Sequence, residues 1–158
     1  MSDLSHVGPD GRVRMVDVGA KPETVRVAEA RGQVRMQRAT LEQIASEDSP
    51  KGDVLRTAEQ AGIMAAKRTG ELIPLCHPLP LTGVWVTTRV DPDLPGITVW
   101  AMAKTVGRTG VEMEALTAAT IACLTIYDMT KAIDRDLVIE GVELIAKSGG
   151  RSGDWRRD

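Results

Sequence analysis

Between Thr24 and Met36 apolar and polar residues partly alternate, with Val25 and Val27 followed by Val34 and Met36, which predicts a strand with one wet face. On this spacing Arg26 points away from Val25 and Val27, toward solvent or an ion partner. Val84–Val90 and Ile97–Lys104 predict two more strands, joined by the turn-forming run 91–96, Asp-Pro-Asp-Leu-Pro-Gly. Leu137–Lys147, interrupted by Gly141, predicts a last strand, and Met15–Val18 is a shorter candidate. Helical spacing governs the other long segments. Val54, Leu55, Ala58, Ala61, Gly62, Ala65 and Ala66 form one stripe behind Asp53 as N-cap, and such small side chains allow close approach to a sheet. A shorter helix is predicted from Thr40, as N-cap, to about Glu47. The longest helix runs from about Gly110 to Asp134, with Val111, Ala115, Ala118, Ala119, Ala122, Ile126, Met129 and Ile133 on one stripe and Leu116, Ile121 and Leu124 on the other side. A helix apolar all round is buried all round. One sheet face cannot achieve that in a small domain, so a second subunit is expected to cover the remainder.

The order strand, helix, two strands, helix, strand predicts an α+β fold: a ferredoxin-like sandwich, with an antiparallel sheet and two main helices packed on one face. The 158 residues suit one domain over 14–147, preceded by a loose polar segment (1–13) and followed by a flexible glycine-rich tail (148–158). Hydrophobic residues at 42% and charged residues at 27% match an ordinary globular protein. The formal net charge of -2 and the scarcity of aromatic residues argue against a nucleic-acid surface. Neither a signal pattern nor an apolar run of ~20 residues is present, so the expected setting is cytoplasmic, with no membrane partner. Cys76 and Cys123 lack partners at metal-ligand spacing, and no metal site is expected.

Chemistry concentrates in few places. In the run 71–82, prolines 74, 78 and 80 fix φ and exclude helix, so Cys76 and His77 sit on a rigid, partly buried, non-helical support. A ring held this way can serve as acid, base or ligand; on this segment alone the plainer reading, that His77 satisfies a buried carbonyl, stands first. Thr109-Gly-Val-Glu112 matches a capping box and gives Glu112 a structural role, whereas Glu114 lies about 200° around the helix from it and has none. Asp128 and Lys131 sit at i, i+3 beyond an uncharged run: a surface ion pair, or a pair at an interface rim that tunes each other's pKa. Glu114 and Asp128 share a face but stand about 21 Å apart along the axis, so either the ligand is long or two subunits contribute opposite ends. Lys51, before a helix start, is a solvated loop lysine or a phosphate contact.

Three motifs carry a resemblance: Leu72–Leu79 (Leu-Ile-Pro-Leu-Cys-His-Pro-Leu), Thr109–Ala118 (Thr-Gly-Val-Glu-Met-Glu-Ala-Leu-Thr-Ala) and Tyr127–Ala132 (Tyr-Asp-Met-Thr-Lys-Ala). Together with Met15–Val18, Lys51–Asp53 and Lys147–Gly150, they make the chain resemble the cyclic pyranopterin monophosphate synthase family, that of molybdenum cofactor biosynthesis protein C, over about His6 to Asp154. The resemblance implies a lyase that converts 3′,8-cyclo-7,8-dihydro-GTP to the cyclic pyranopterin with release of pyrophosphate, by general acid/base catalysis. It implies a homohexamer, a trimer of dimers with sites at the dimer interface. It also implies that Asp128, Lys51, Lys131 and His77 are catalytic. Leu75, Cys76, His77, Met113 and Glu114 would bind substrate, with Lys147 and Arg26 as further phosphate contacts. Proton transfers of this kind call for lysines and an imidazole lowered toward neutral pKa. No cofactor is built in; a divalent metal travelling with the substrate triphosphate is compatible with the chemistry. Two departures stand out: Arg108 where the family commonly has Lys, and Thr130 where Cys is usual. The alternative of another class is a non-catalytic, oligomeric purine-nucleotide sensor. A purely structural oligomer leaves the Cys-His segment unexplained.

Overall fold

A computed structural model describes residues 5–46 and 53–158. Its centre is β1 (Thr24–Arg35), flanked by β3 (Gly96–Gly107) and β4 (Val138–Ser148); β2 (Leu81–Asp91) and β5 (Trp155–Arg156) form the edges, so the order is β2-β3-β1-β4-β5. Every pairing is antiparallel. With α2 (Val54–Ala66) between β1 and β2, and α4 (Glu112–Thr130) between β3 and β4, this is the ferredoxin-like arrangement. The remaining helices, α1 (Arg38–Ala45) and the single turn α3 (Thr69–Leu72), are short connectors.

The two faces of the sheet follow a period of two, with Val34 and Met36 on the buried side but Val25 and Val27 in the opposite phase. Ala28, Ala30 and Val34 are buried toward the helices with Ala101, Ala103 and Val99. Val25, paired with Val106, lies on the open face, and Arg26 falls in phase with Ala28. Ala28 and Ala30, together with Val34, therefore mark the core side of β1. Small side chains suit this side because α4 comes close: a Cβ on Gly32 of β1 would stand 2.8 Å from Cys123 Sγ on α4. The open face keeps Trp85, Trp100 and Val106 exposed, with the Arg31 guanidinium 5.5 Å from the Trp100 ring centre.

Several local expectations are corrected. Met15–Val18 forms no strand; it is irregular chain. Thr40 does not cap α1, which starts at Arg38. Instead the Thr40 hydroxyl donates to Asp134 Oδ2 at 3.0 Å, and the Gln37 backbone N–H donates to the same oxygen at 2.8 Å. Asp53 does cap α2, accepting from the Arg56 N–H at 2.9 Å. The Thr109 capping box does not form: Val111 is the N-cap residue of α4 and no side chain caps it. Helix α4 is covered largely within the chain, by α2 as well as by the sheet; Leu116 and Ile121 remain half-buried and Leu124 is 48% exposed. In the tail, Trp155–Arg156 adds the short strand β5 beside Ala146 and Lys147.

Candidate active site

The proline-fixed segment runs from the end of α3 to the start of β2, and its turn is closed by the Cys76 N–H donating to the Ile73 carbonyl at 3.1 Å. Behind it Thr69 is buried and donates its hydroxyl to the Ala66 carbonyl at 3.0 Å, which ties the segment to the end of α2. This support faces the first turn of α4. Leu75, Cys76 and His77 from one side, and Glu112, Met113 and Glu114 from the other, line a cavity of about 330 Å³. Val16, Val18 and Lys21 of the irregular N-terminal chain close a third wall.

His77 Nε2 lies 2.7 Å from the Val16 carbonyl oxygen. The oxygen can only accept, so Nε2 carries the hydrogen and Nδ1 is the nitrogen left to take a proton. The plain and the functional readings of His77 thus coexist: one nitrogen satisfies a carbonyl, and in doing so anchors a wall of the cavity. Arg108 anchors the same wall. Its Nη1 donates to the Gly19 carbonyl at 3.0 Å and its Nε stands 3.9 Å from Glu23, a two-pronged hold that a lysine's single ammonium would not reproduce.

Glu114 is 4% exposed, and its carboxyl is pushed up to about 7, chiefly by burial, while the charge of Glu112 adds to the rise against the lowering effect of its own backbone N–H. Burial raises the Cys76 thiol as well, and the Glu114 charge adds to it, so the thiol stays protonated. Glu112 is the residue the local pattern misassigned. Its Oε1 accepts from Lys147 Nζ at 3.1 Å, joining the cavity to β4.

The other expected residues lie elsewhere in the chain. Asp128 and Lys131 pair at 2.5 Å in an exposed position at the far end of α4. Asp128 raises the Lys131 pKa, the reverse of the lowering expected for a catalytic base. Arg26 lines a neighbouring cavity with Thr24, Gly150 and Arg151. Lys51 lies outside the described residues. Thr130 is buried and donates to the Ile126 carbonyl at 2.7 Å, within its own helix. Among the described residues no three His, Cys, Asp or Glu side chains converge on a metal position, and no helix is long and apolar enough to cross a membrane.

A cavity of this size, mixing apolar walls with a few fixed polar groups, fits a small organic molecule, so the chain is a small-molecule-binding α+β domain of ferredoxin-like topology. Comparison with known proteins narrows that class. The MoaC family model matches residues 15–150, and the chain belongs to the MoaC family. It is 60% identical over 158 residues, covering all of both chains, to a protein of Roseiflexus sp. (strain RS-1) named cyclic pyranopterin monophosphate synthase. Proteins of the same name from Roseiflexus castenholzii (strain DSM 13941 / HLO8) and Brucella ovis (strain ATCC 25840 / 63/290 / NCTC 10512) are 58% and 59% identical, over 98% and 96% of this chain and 98% and 92% of theirs.

Proposed function

We propose that this chain is a cyclic pyranopterin monophosphate synthase, a lyase-type cyclase of molybdenum cofactor biosynthesis acting on 3′,8-cyclo-7,8-dihydro-GTP. The observation that carries the reading is convergence: Leu75, Cys76, His77, Met113 and Glu114, the positions that the sequence motifs assign to substrate, line one cavity. The shared name of relatives matched over nearly their whole length favours this catalytic reading over a regulatory one.

In this reading the cavity holds the purine-derived ring system. Glu114, titrating near neutrality, and His77 through Nδ1 exchange protons with the ring nitrogens and hydroxyls as bonds open and reclose. Phosphate closure forms a bond from a ribose hydroxyl oxygen to the α-phosphorus and breaks the bond to the β-phosphate. The hydroxyl proton passes to a base, and pyrophosphate leaves with added negative charge that cations must offset. Lys131, held as an ammonium by Asp128, serves there as a cation or proton donor. Lys51, Lys147 and Arg26 supply further positive charge.

Glu114 and Asp128 stand about 21 Å apart along α4, so the full set is assembled between subunits, the partner subunit's Asp128 and Lys131 reaching this cavity. The unit is a homohexamer built as a trimer of dimers. The direct test is incubation with the cyclised GTP precursor, following pyrophosphate and the cyclic pyranopterin phosphate. The wild type forms both; Asp128→Ala and Lys51→Ala fold and assemble but lose at least about a hundredfold in rate. Full activity in either variant overturns the role given to that residue, and an inert wild type overturns the function.

A further inference from the structure

We propose that His6 is a ligand-binding residue of the main cavity, its Nε2 accepting a hydrogen bond from an N–H or O–H group of the purine-derived ligand. This rests on the reading of that cavity given above, and adds a residue that the sequence motifs did not assign to it. The chain has two histidines, and both line this one cavity. Each spends one ring nitrogen on a backbone carbonyl of the same short stretch: His77 Nε2 on that of Val16 at 2.7 Å, and His6 Nδ1 on that of Arg14 at 3.3 Å.

A tight hairpin delivers the His6 ring. Its turn is Pro9-Asp10-Gly11: the Gly11 N–H donates to the Gly8 carbonyl at 2.9 Å and the Gly8 N–H to the Arg12 carbonyl at 2.9 Å. Gly11 takes a φ of +74°, the left-handed position that closes a turn of this kind. Val7 then pairs with Val13, and the Arg14 N–H donates to the His6 carbonyl at 2.8 Å. His6 therefore stands at the open end of the hairpin, where the chain returns to the cavity wall at Val16. The Arg14 oxygen can only accept, so Nδ1 carries the hydrogen and Nε2 of the neutral ring is an acceptor. A ring that served only to pin the hairpin would finish its work at Nδ1. Nε2 makes no hydrogen bond among the described residues, although the ring lines a cavity. It selects by chemistry: a purine ring N–H, an amino group or a ribose hydroxyl can donate to it, whereas an ionised phosphate has nothing to donate. Glu112 adds carboxylate oxygens to the same walls, so the space suits a donor-rich ring.

The test is NMR of the full-length protein with nitrogen-labelled imidazoles, titrated with guanosine triphosphate as the probe. With two histidines in the chain, His6→Asn removes one set of ring signals and so assigns both. The asparagine amide keeps an N–H for the Arg14 carbonyl but places no acceptor where Nε2 stood, and circular dichroism checks the fold. In wild type the probe moves the His6 Nε2 signal saturably, and His6→Asn binds it about fivefold more weakly, as read at His77. A His6 signal that the probe leaves in place overturns the inference. So does a wild-type affinity in His6→Asn alongside a loss in His6→Ala, the result expected if the ring only pins the hairpin. Pyrophosphate release from the cyclised precursor is followed in parallel. A wild type that binds the probe through His6 yet forms no product supports the inference and refutes the synthase reading. Product formed by His6→Asn with an unchanged KM does the reverse.

Discussion

Glu114 stands at pH 7 near the midpoint of its own titration, because the folded chain buries its carboxyl in the first turn of α4. The unfolded chain ionises that carboxyl near its ordinary 4.5 and the folded one only near 7. Across that window the folded state holds more protons, so stability is full below the lower value and falls as pH rises through the upper. The shift corresponds to a loss on the order of 3 kcal/mol. Glu114→Gln keeps the shape and removes the ionisation. Urea unfolding as a function of pH should therefore show the wild type losing stability relative to Glu114→Gln between these values, with the variant the more stable at pH 8; parallel profiles would dismiss the buried acid. Reading residues from sequence succeeded where structure is local, as in the non-helical, half-buried support that carries Cys76 and His77. It failed at Glu112, because Thr-Gly-Val-Glu fits a helix cap equally well. The competing partner, Lys147, is 35 positions away on β4 and leaves no local trace.

At the scale of elements the same distance problem recurs, and Asp134 is its clearest case. Just past the end of α4, at 2% exposure, it accepts from the N–H of Gln37, the hydroxyl of Thr40 and the N–H of Asp136. Burial by itself would favour the neutral acid, but these three donors outweigh it and hold the carboxyl below its ordinary 3.8. Its stabilising share is therefore present above that value and disappears as pH falls through the lowered one. Asp134→Ala leaves those donors without an acceptor and should cost about 3 kcal/mol of folding free energy in chemical denaturation. A loss below about 0.5 kcal/mol would remove Asp134 from the list of supports for α1. Such a cap is invisible to a local pattern, since Thr40 looks like the N-cap and its true partner lies 94 residues on. Strand and helix order was legible because periodicity survives burial: β1 to β4, α2 and α4 stand close to where spacing placed them. The phase of the first half of β1 was not, because Val25 and Val27, which look like core, share the open face while Ala28 and Ala30 take the buried positions. The edge strand β5 has only two residues, too few for any period to register.

Over the whole molecule, α4 decides how many chains a site needs. Its first turn supplies Met113 and Glu114 to the cavity, and its last turns present Asp128 and Lys131 to solvent. A rigid helix cannot bring both ends to one reacting atom. Exposed apolar surface remains on both sides of the chain: Trp85 and Trp100 on the open sheet face, and Leu124 along α4. A shared site makes a prediction that a site within one chain does not. Chains carrying His77→Ala and chains carrying Asp128→Ala are each inactive alone. In a mixed dimer, one of the two sites takes His77 from one chain and Asp128 from the other, and is whole. With random exchange half of the dimers are mixed, so about a quarter of all sites, and of the wild-type rate, should return. Both variants are co-refolded from urea, exchange is verified by native mass spectrometry with one chain isotope-labelled, and pyrophosphate release is followed. Recovery near a quarter places the two residues on opposite sides of one seam. Complete inactivity of verified mixed dimers instead places them in the same chain, and the separation imposed by α4 then excludes their acting on one atom together.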